Sequence, residues 1–508
     1  MTQPNVSETP MQRDRAVTIF ERSKPGRRAA TLPPLDVPER PVDELIPSHL
    51  RRERPARLPE VSEPEIVRHY NRISRRNFDL DTGLYPLGSC TMKHNPRLNE
   101  RVAALPGHAR LHPAQDPKRA QGALELMWLL QESLAEICGL PHVSLQPSAG
   151  SHGELAGLLL TRAYHDERGE QRTKVLTPDT AHGTNPASVT MAGYEVVTVA
   201  TDDRGGVDLD DLRAKVTNEI ACLMLTNPNT LGLFDENIRE IAAVVHGGGG
   251  TLYYDGANLN AIMGHSRPGD MGFDIVHVNL HKSFSQPHGG GGPGSGPIAV
   301  SDRIEPHLPV PRVVRRDEGN GAAPRYDLDH DRPKSIGRLR GFQGNFGVFV
   351  RSYAYILSLG GDGLTEASET AVLNANYLLA RLRQGRAGRY LPVAFDRRCM
   401  HEFVLSGRPA KRELNVATLD LAKRLLDFGF HPPTIYFPLL VDEAMMVEPT
   451  ETETKESLDG FAAAVEEILA EGEGDPESLK QAPYTTPVRR LDEAAAARRP
   501  IVRQPLTD

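Results

Sequence analysis

Two residues near the middle of the chain have the types and the setting for covalent chemistry on an amine. In Tyr253-Tyr254-Asp255-Gly256-Ala257-Asn258 an acid closes an apolar run. In Ile275-Val276-His277-Val278-Asn279-Leu280-His281-Lys282 a lysine closes another, 27 positions after the acid. Singly, an aspartate at a strand end caps a turn and a lysine there is a solvated end. Together, ending two strands of one sheet, they form the pair that pyridoxal phosphate requires. The amine makes a Schiff base with the cofactor aldehyde, and the carboxylate keeps the pyridine nitrogen protonated so that the ring accepts electrons. That is chemistry on an amino acid.

Other segments supply what such a cofactor needs around it. Gln146-Pro147-Ser148-Ala149-Gly150-Ser151-His152-Gly153-Glu154 lies between a strand and a helix, where small residues let backbone N–H groups approach a phosphate. Ser148 and Ser151 are candidate hydroxyl donors beside Ala149 and Gly150, and Ser283, directly after the lysine, is another. The stretch from Pro287 to Pro297 holds Gly289 to Gly292, Gly294 and Gly296, a composition suited to close ligand approach or to a surface loop. In Thr180-Ala181-His182-Gly183-Thr184-Asn185-Pro186, His182 is a candidate to stack on the cofactor ring or a structural hydrogen-bonding group. Thr184 is a candidate partner of the phenolic oxygen. His281 is either a proton-transfer group or a structural neighbour of Lys282. No metal site is expected, because Cys90, Cys138, Cys222 and Cys399 lie far apart without a C-x-x-C pair.

Positioning these groups requires a sheet. Leu124, Met127, Leu130, Leu134 and Ile137 mark one face of a helix. Short apolar runs follow at Val143 to Leu145, Lys174 to Leu176, Val196 to Val199, Leu223 to Leu225, Leu252 to Tyr254 and Ile275 to Val278. They are separated by helical stretches such as Asp210 to Val216 and Asn237 to His246. Strands spaced by helix-length segments predict an α/β fold with a mainly parallel sheet covered on both faces. The composition suggests an extended N-terminal arm over 1–60, a large cofactor-binding domain over 61–385, a smaller C-terminal α/β domain over 386–474 and a tail over 475–508. In the smaller domain, His401 to Leu405 reads as a strand and Val416 to Phe428 and Glu456 to Glu471 as helices. With 508 residues, 39% hydrophobic composition, a net charge of -8 and 59 scattered basic residues, a nucleic-acid surface is not expected. No run approaches a membrane span, and a reducing, cytoplasmic setting is expected.

Several strings resemble the glycine cleavage system P-protein, in its C-terminal half, which in many bacteria is a separate subunit 2. They are Tyr85-Pro86-Leu87-Gly88-Ser89-Cys90-Thr91-Met92-Lys93, His182-Gly183-Thr184-Asn185-Pro186, Asp255-Gly256-Ala257-Asn258, Asn279-Leu280-His281-Lys282 and Pro287-His288-Gly289-Gly290-Gly291-Gly292-Pro293-Gly294, followed by Phe430 to Pro438 and Val447 to Lys455. The resemblance spans about residues 19 to 470. It departs at His94, where an aromatic is usual, and at Ser151-His152, in place of Ala-Gln. The resemblance implies a fold-type I pyridoxal-phosphate enzyme with a seven-stranded-type sheet, acting on glycine. Lys282 then carries the cofactor, Asp255 partners its pyridine nitrogen, His182 stacks on the ring and Ala257 packs on the other face. It also implies decarboxylation of glycine, transfer of the aminomethyl group to the lipoyl group of H-protein, and a complex with subunit 1, two copies of each chain. The glycine carboxylate needs a cation, and Arg72, Arg75, Lys93 and Arg110 are the candidates. The alternatives are a pyridoxal decarboxylase or transferase for a larger amino acid, and a non-catalytic companion subunit.

Overall fold

The computed structural model describes residues 17–54, 56–288, 292, 294–317, 319 and 323–503, so Gly289 to Gly291 of the glycine-rich stretch lie outside the described residues. Contacts divide the chain into one unit of Leu80–Ala482 and another of Met1–Asp79 with Pro483–Asp508. These limits differ from the composition boundaries because packing, not proline content, defines a unit: helix Glu63–Ser74 belongs with the arm, and helix Pro476–Gln481 packs on helix Lys455–Gly474.

In the larger unit seven strands form one sheet: β1 (His142–Ser144), β2 (Lys174–Pro178), β3 (Glu195–Val199), β4 (Ile220–Leu225), β5 (Thr251–Gly256), β6 (Ile275–Val278) and β7 (Ile298–Val300). Their order is β1-β7-β6-β5-β4-β2-β3. Only β7 runs against its neighbours β1 and β6; the other pairs are parallel. The period of two along each strand decides which core a side chain joins. Leu223, Leu225, Leu252, Tyr254, Val276 and Val278 enter one buried cluster. The alternate residues Cys222, Met224, Tyr253 and Ile275 enter another. Both faces are therefore dry, which is why these runs read as continuously apolar rather than alternating.

Each apolar run of the sequence became a strand, with ends shifted by at most three residues. One end matters. The run predicted to reach Lys282 stops pairing at Val278, and Leu280–Ser283 forms a helical turn instead. Leu280 N still donates to Ser295 O, but the amides of Lys282 and Ser283 turn back to Asn279 O. The lysine is thus presented from a turn, beyond the ladder.

Several elements were not anticipated, among them a hairpin and a long helix. A hairpin, β8 (Arg312–Arg316) with β9 (Arg325–Asp329), packs on helix Gln121–Cys138. A 37-residue helix, Phe346–Leu382, breaks its dihedrals only at Gly360. Its first half contributes Val348, Phe349 and Tyr355 to the core of the large sheet. Its second half contributes Ala375, Leu378, Leu379 and Leu382 to a separate core. That second core lies under a three-stranded antiparallel sheet of β10 (Phe403–Ser406), β11 (Thr434–Ile435) and β12 (Ala444–Val447), in the order β10-β12-β11.

In the other unit, helix Glu63–Ser74 begins with a capping box between Ser62 and Glu65, and Arg27 pairs with Glu65. Leu32, Leu35, Val37, Val42, Leu45 and Leu50 are exposed. Among the described residues no helix is long and apolar enough to cross a membrane.

Candidate active site

β5 and β6 are in register with Asp255 opposite His277. Asp255 is buried, and three groups converge on it. Asn185 Nδ2 donates to Oδ2 at 3.0 Å, the Ala257 amide donates to Oδ1 at 3.0 Å, and His277 Nε2 lies 3.2 Å from Oδ1, off hydrogen-bond alignment. His277 is held from its other side by Tyr253 Oη, 2.6 Å from Nδ1. Burial alone would raise the Asp255 carboxyl, but His277, Asn185, the Ala257 amide and Lys282 outweigh it and hold it below the ordinary aspartate value. A carboxylate is therefore kept ionised at the end of a dry strand. Lys282 Nζ, half-buried, donates to Ser89 O at 2.6 Å.

In the small-residue segment from Gln146, read from the sequence as a phosphate cradle, the close approaches in the structure are to other parts of the chain. A Cβ on Gly150 would stand 2.1 Å from Asn279 Oδ1 and force that side chain to shift, and one on Gly296 would stand 2.1 Å from the backbone oxygen of Ala149, a clash that only glycine avoids. Helix Gly150–Glu167 starts there. His152 Nδ1 accepts from Ser148 N at 3.2 Å and lies 3.1 Å from Ser148 Oγ. The histidine at the departing position thus pins the loop. Ser151 is exposed. Ser283 Oγ is buried without a protein partner, a donor suited to a phosphate oxygen. Asn345 joins the loop to a cation: its Nδ2 donates to Ser148 O at 3.0 Å, and its Oδ1 accepts from Arg340 at 2.8 Å.

His182 precedes helix Thr184–Met191, and its Nδ1 lies 2.8 Å from Thr184 Oγ1. Thr184 Oγ1 donates to Glu154 Oε1 at 2.8 Å, and Ser188 Oγ donates to Oε2 at 3.0 Å. The carboxylate of Glu154 thus orders both hydroxyls. His281 sits edge-on to His288, 5.7 Å between centroids. Burial, with the charges of Lys282 and His288, lowers His281 to about 3, which keeps its imidazole neutral.

A network that the sequence did not reveal surrounds Lys93. Its ammonium, fully buried, donates to Asn260 Oδ1 at 2.8 Å, Ser283 O at 3.0 Å and Glu451 Oε1 at 2.7 Å. With its protons committed, Lys93 is not a cation for a substrate carboxylate. Arg110 is exposed, and Arg72 and Arg75 belong to the other unit. Lys93→Met should cost about 3–5 kcal/mol by leaving Glu451 buried and uncompensated. Urea midpoints at constant m-value would read this, and Lys93→Met/Glu451→Leu should recover most of the loss.

Beside this network His401, Glu402 and Glu448 are all fully buried; neither ring nitrogen of His401 has a hydrogen-bond partner, and Nε2 lies 4.0 Å from Glu402 Oε1 and 3.9 Å from Glu448 Oε1. Burial, with the charge of Lys282, lowers His401 from 6.5 to about 3. The fold therefore excludes a proton that the unfolded chain binds below 6.5. Stability from this group is present above that pH and is lost as pH falls toward 3. His401→Leu should remove up to about 1.4 kcal/mol per pH unit from the slope over that window. Chemical denaturation of parent and variant at pH 4, 5, 6 and 7 would measure it; parallel slopes would contradict it.

A doubly covered, mainly parallel sheet, with the acid and the lysine after neighbouring strands, is the architecture of fold-type I pyridoxal-phosphate enzymes. The fold matches a crystal structure of glycine decarboxylase (P-protein) of the glycine cleavage system in inhibitor-bound form, with TM-score 0.71 and 21% identity over 84% of this chain and 94% of that one. It also matches a sphingosine-1-phosphate lyase from Burkholderia pseudomallei, with TM-score 0.60 and 14% identity over 88% and 95% of the two chains. The family described as glycine cleavage system P-protein matches residues 38–340, and the glycine dehydrogenase C-terminal domain matches residues 367–483. Proteins named probable glycine dehydrogenase (decarboxylating) subunit 2 are similar throughout: 57% identical in Caldanaerobacter subterraneus subsp. tengcongensis and 58% in Bacillus licheniformis, each over 96% of this chain and 98% of theirs. The chain belongs to the glycine cleavage system P-protein family, in its subunit 2 form.

Proposed function

We propose that this chain decarboxylates glycine with pyridoxal phosphate held on Lys282, and passes the aminomethyl group to the lipoyl group of a carrier protein. The observation that carries the reading is the ionised, buried Asp255, braced by Asn185 and His277, one strand away from the turn that presents Lys282. When bound, the cofactor supplies an electron sink for the pair released as carbon dioxide leaves.

The chain's own residues supply the rest. Asp255 holds a proton at the pyridine nitrogen, and Ala257, its amide tied to that carboxylate, packs on one ring face. His182 stacks on the other, oriented by Thr184 and Glu154. The backbone from Ser148 to Ser151, with Ser283, cradles the phosphate, and Arg340 balances its charge through Asn345. Neutral His281, its basicity suppressed by burial and by the charge of Lys282, is a structural neighbour of the lysine rather than a base for its proton.

A companion subunit 1 completes the enzyme, two copies of each chain. The name subunit 2 carried by the relatives supports the companion, as does the row of exposed Leu32, Leu35, Val37, Val42, Leu45 and Leu50, which a partner surface would cover. Glycine-dependent exchange of labelled bicarbonate, with lipoylated carrier and companion subunit supplied, tests the reading. Exchange is expected, and its absence with all components present would overturn it.

A further inference from the structure

Tyr85 to His94 crosses the site without a helix or strand of its own. It is tethered by a bridge between Leu87 and Val447 and by Glu448 N donating to Pro86 O at 3.3 Å. Two of its residues, Ser89 (φ 62°) and Thr91 (φ 47°), take left-handed backbone conformations, which residues with a Cβ adopt when their surroundings impose them. Two carboxyl groups impose them here. Glu402 Oε2 accepts from Ser89 N at 2.7 Å, and Glu448 Oε2 accepts from Thr91 N at 3.0 Å.

Glu402 precedes β10 and Glu448 follows β12. Because Phe403 pairs with Val447, the two acids stand side by side one step beyond the ladder. Asn258, three residues past Asp255, donates to Glu402 Oε1 at 3.3 Å, tying the grip to the turn that carries the acid. Among the other bonds of the gripped segment, one reaches the lysine: Ser89 O accepts from Lys282 Nζ. Placing two carboxyl groups together in a dry interior is unfavourable, and burial together with their mutual repulsion raises Glu402 well above its ordinary value, as burial raises Glu448. Such an arrangement opposes folding and calls for a role at the site.

We propose that Glu402 and Glu448 are positioning residues: by holding the Ser89 and Thr91 amides they fix the Ser89 carbonyl as the rest on which the Lys282 amine waits when it is not bonded to the cofactor. Loosening either grip lets that amine wander, and recapture of the cofactor slows. The inference rests on Lys282 being the cofactor anchor.

The test uses the full chain assembled with its companion subunit, stripped of cofactor and then mixed with pyridoxal phosphate. Absorbance follows bond formation, and borohydride trapping with mass spectrometry locates it. Glu402→Ala and Glu448→Ala should slow formation roughly ten- to hundredfold, the scale of a misplaced reacting group, while the same final fraction is trapped on Lys282. Glu402→Gln, whose amide oxygen still accepts the Ser89 proton, should stay near the parent rate. If the alanine variants do not fold, Glu402→Asp and Glu448→Asp, one methylene too short to reach, should show the same slowing. Parent-like rates in folded alanine or aspartate variants would overturn the proposal, as would a glutamine variant as slow as alanine. A parent that traps nothing on Lys282 would instead sink the anchor reading.

Discussion

Lys282→Ala should abolish borohydride trapping of pyridoxal phosphate and lower glycine-dependent bicarbonate exchange by on the order of a thousandfold or more, as removal of a covalent catalytic group does. The expectation follows from the surroundings of the amine. Lys93, the other lysine of this region, spends its protons on Asn260, Ser283 and Glu451 and is fully buried. It cannot take over without breaking that network. Folding should survive, because Lys282 is half-buried and its hydrogen bond goes to a single carbonyl, Ser89 O. Its loss should cost about 1 kcal/mol. Circular dichroism with urea denaturation checks the fold, and mass spectrometry of the trapped adduct checks the anchor. Trapping at another residue, or exchange within tenfold of the parent, would contradict the assignment.

Asp255→Asn should leave the cofactor trapped on Lys282 yet lower exchange by about 10²–10³-fold, the scale set by removing one preorganised electrostatic partner of the reacting system. The asparagine keeps the volume and one oxygen, which can still accept from the Ala257 amide; its nitrogen then meets Asn185, whose amide must turn over to offer Oδ1, so packing is preserved while the charge goes. Without it the proton on the pyridine nitrogen is no longer held and the ring is a poorer electron sink. The split between trapping and turnover separates this variant from Lys282→Ala. Equal exchange in parent and Asp255→Asn would show that the carboxylate does not face the cofactor nitrogen.

The fold was readable where one physical cause acted alone. β4 to β6 are dry on both faces, so continuous apolar runs announced them. Helix Phe346–Leu382 was not, because its apolar face changes partners midway, from the core of the large sheet to the core under β10–β12, and no single stripe persists. The partners of Asp255 were missed for a related reason. His277 had a signal, a titratable residue inside an apolar run, but its meaning depends on the β5–β6 register. Glu154 and Asn185 lay in strings read for their neighbours, and only the folded chain placed them against Thr184, Ser188 and Asp255.

By itself the sequence determined the strands that lead to the acid and toward the lysine, and the family, since these are local patterns or colinear strings. The tertiary structure decided that Lys282 stands on a turn past the ladder, that Lys93 is committed, and that Glu402 and Glu448 reach across more than 300 residues to hold Ser89 and Thr91. These facts are contacts between segments distant in the chain, set by sheet register and packing, and no local pattern of residue types encodes them.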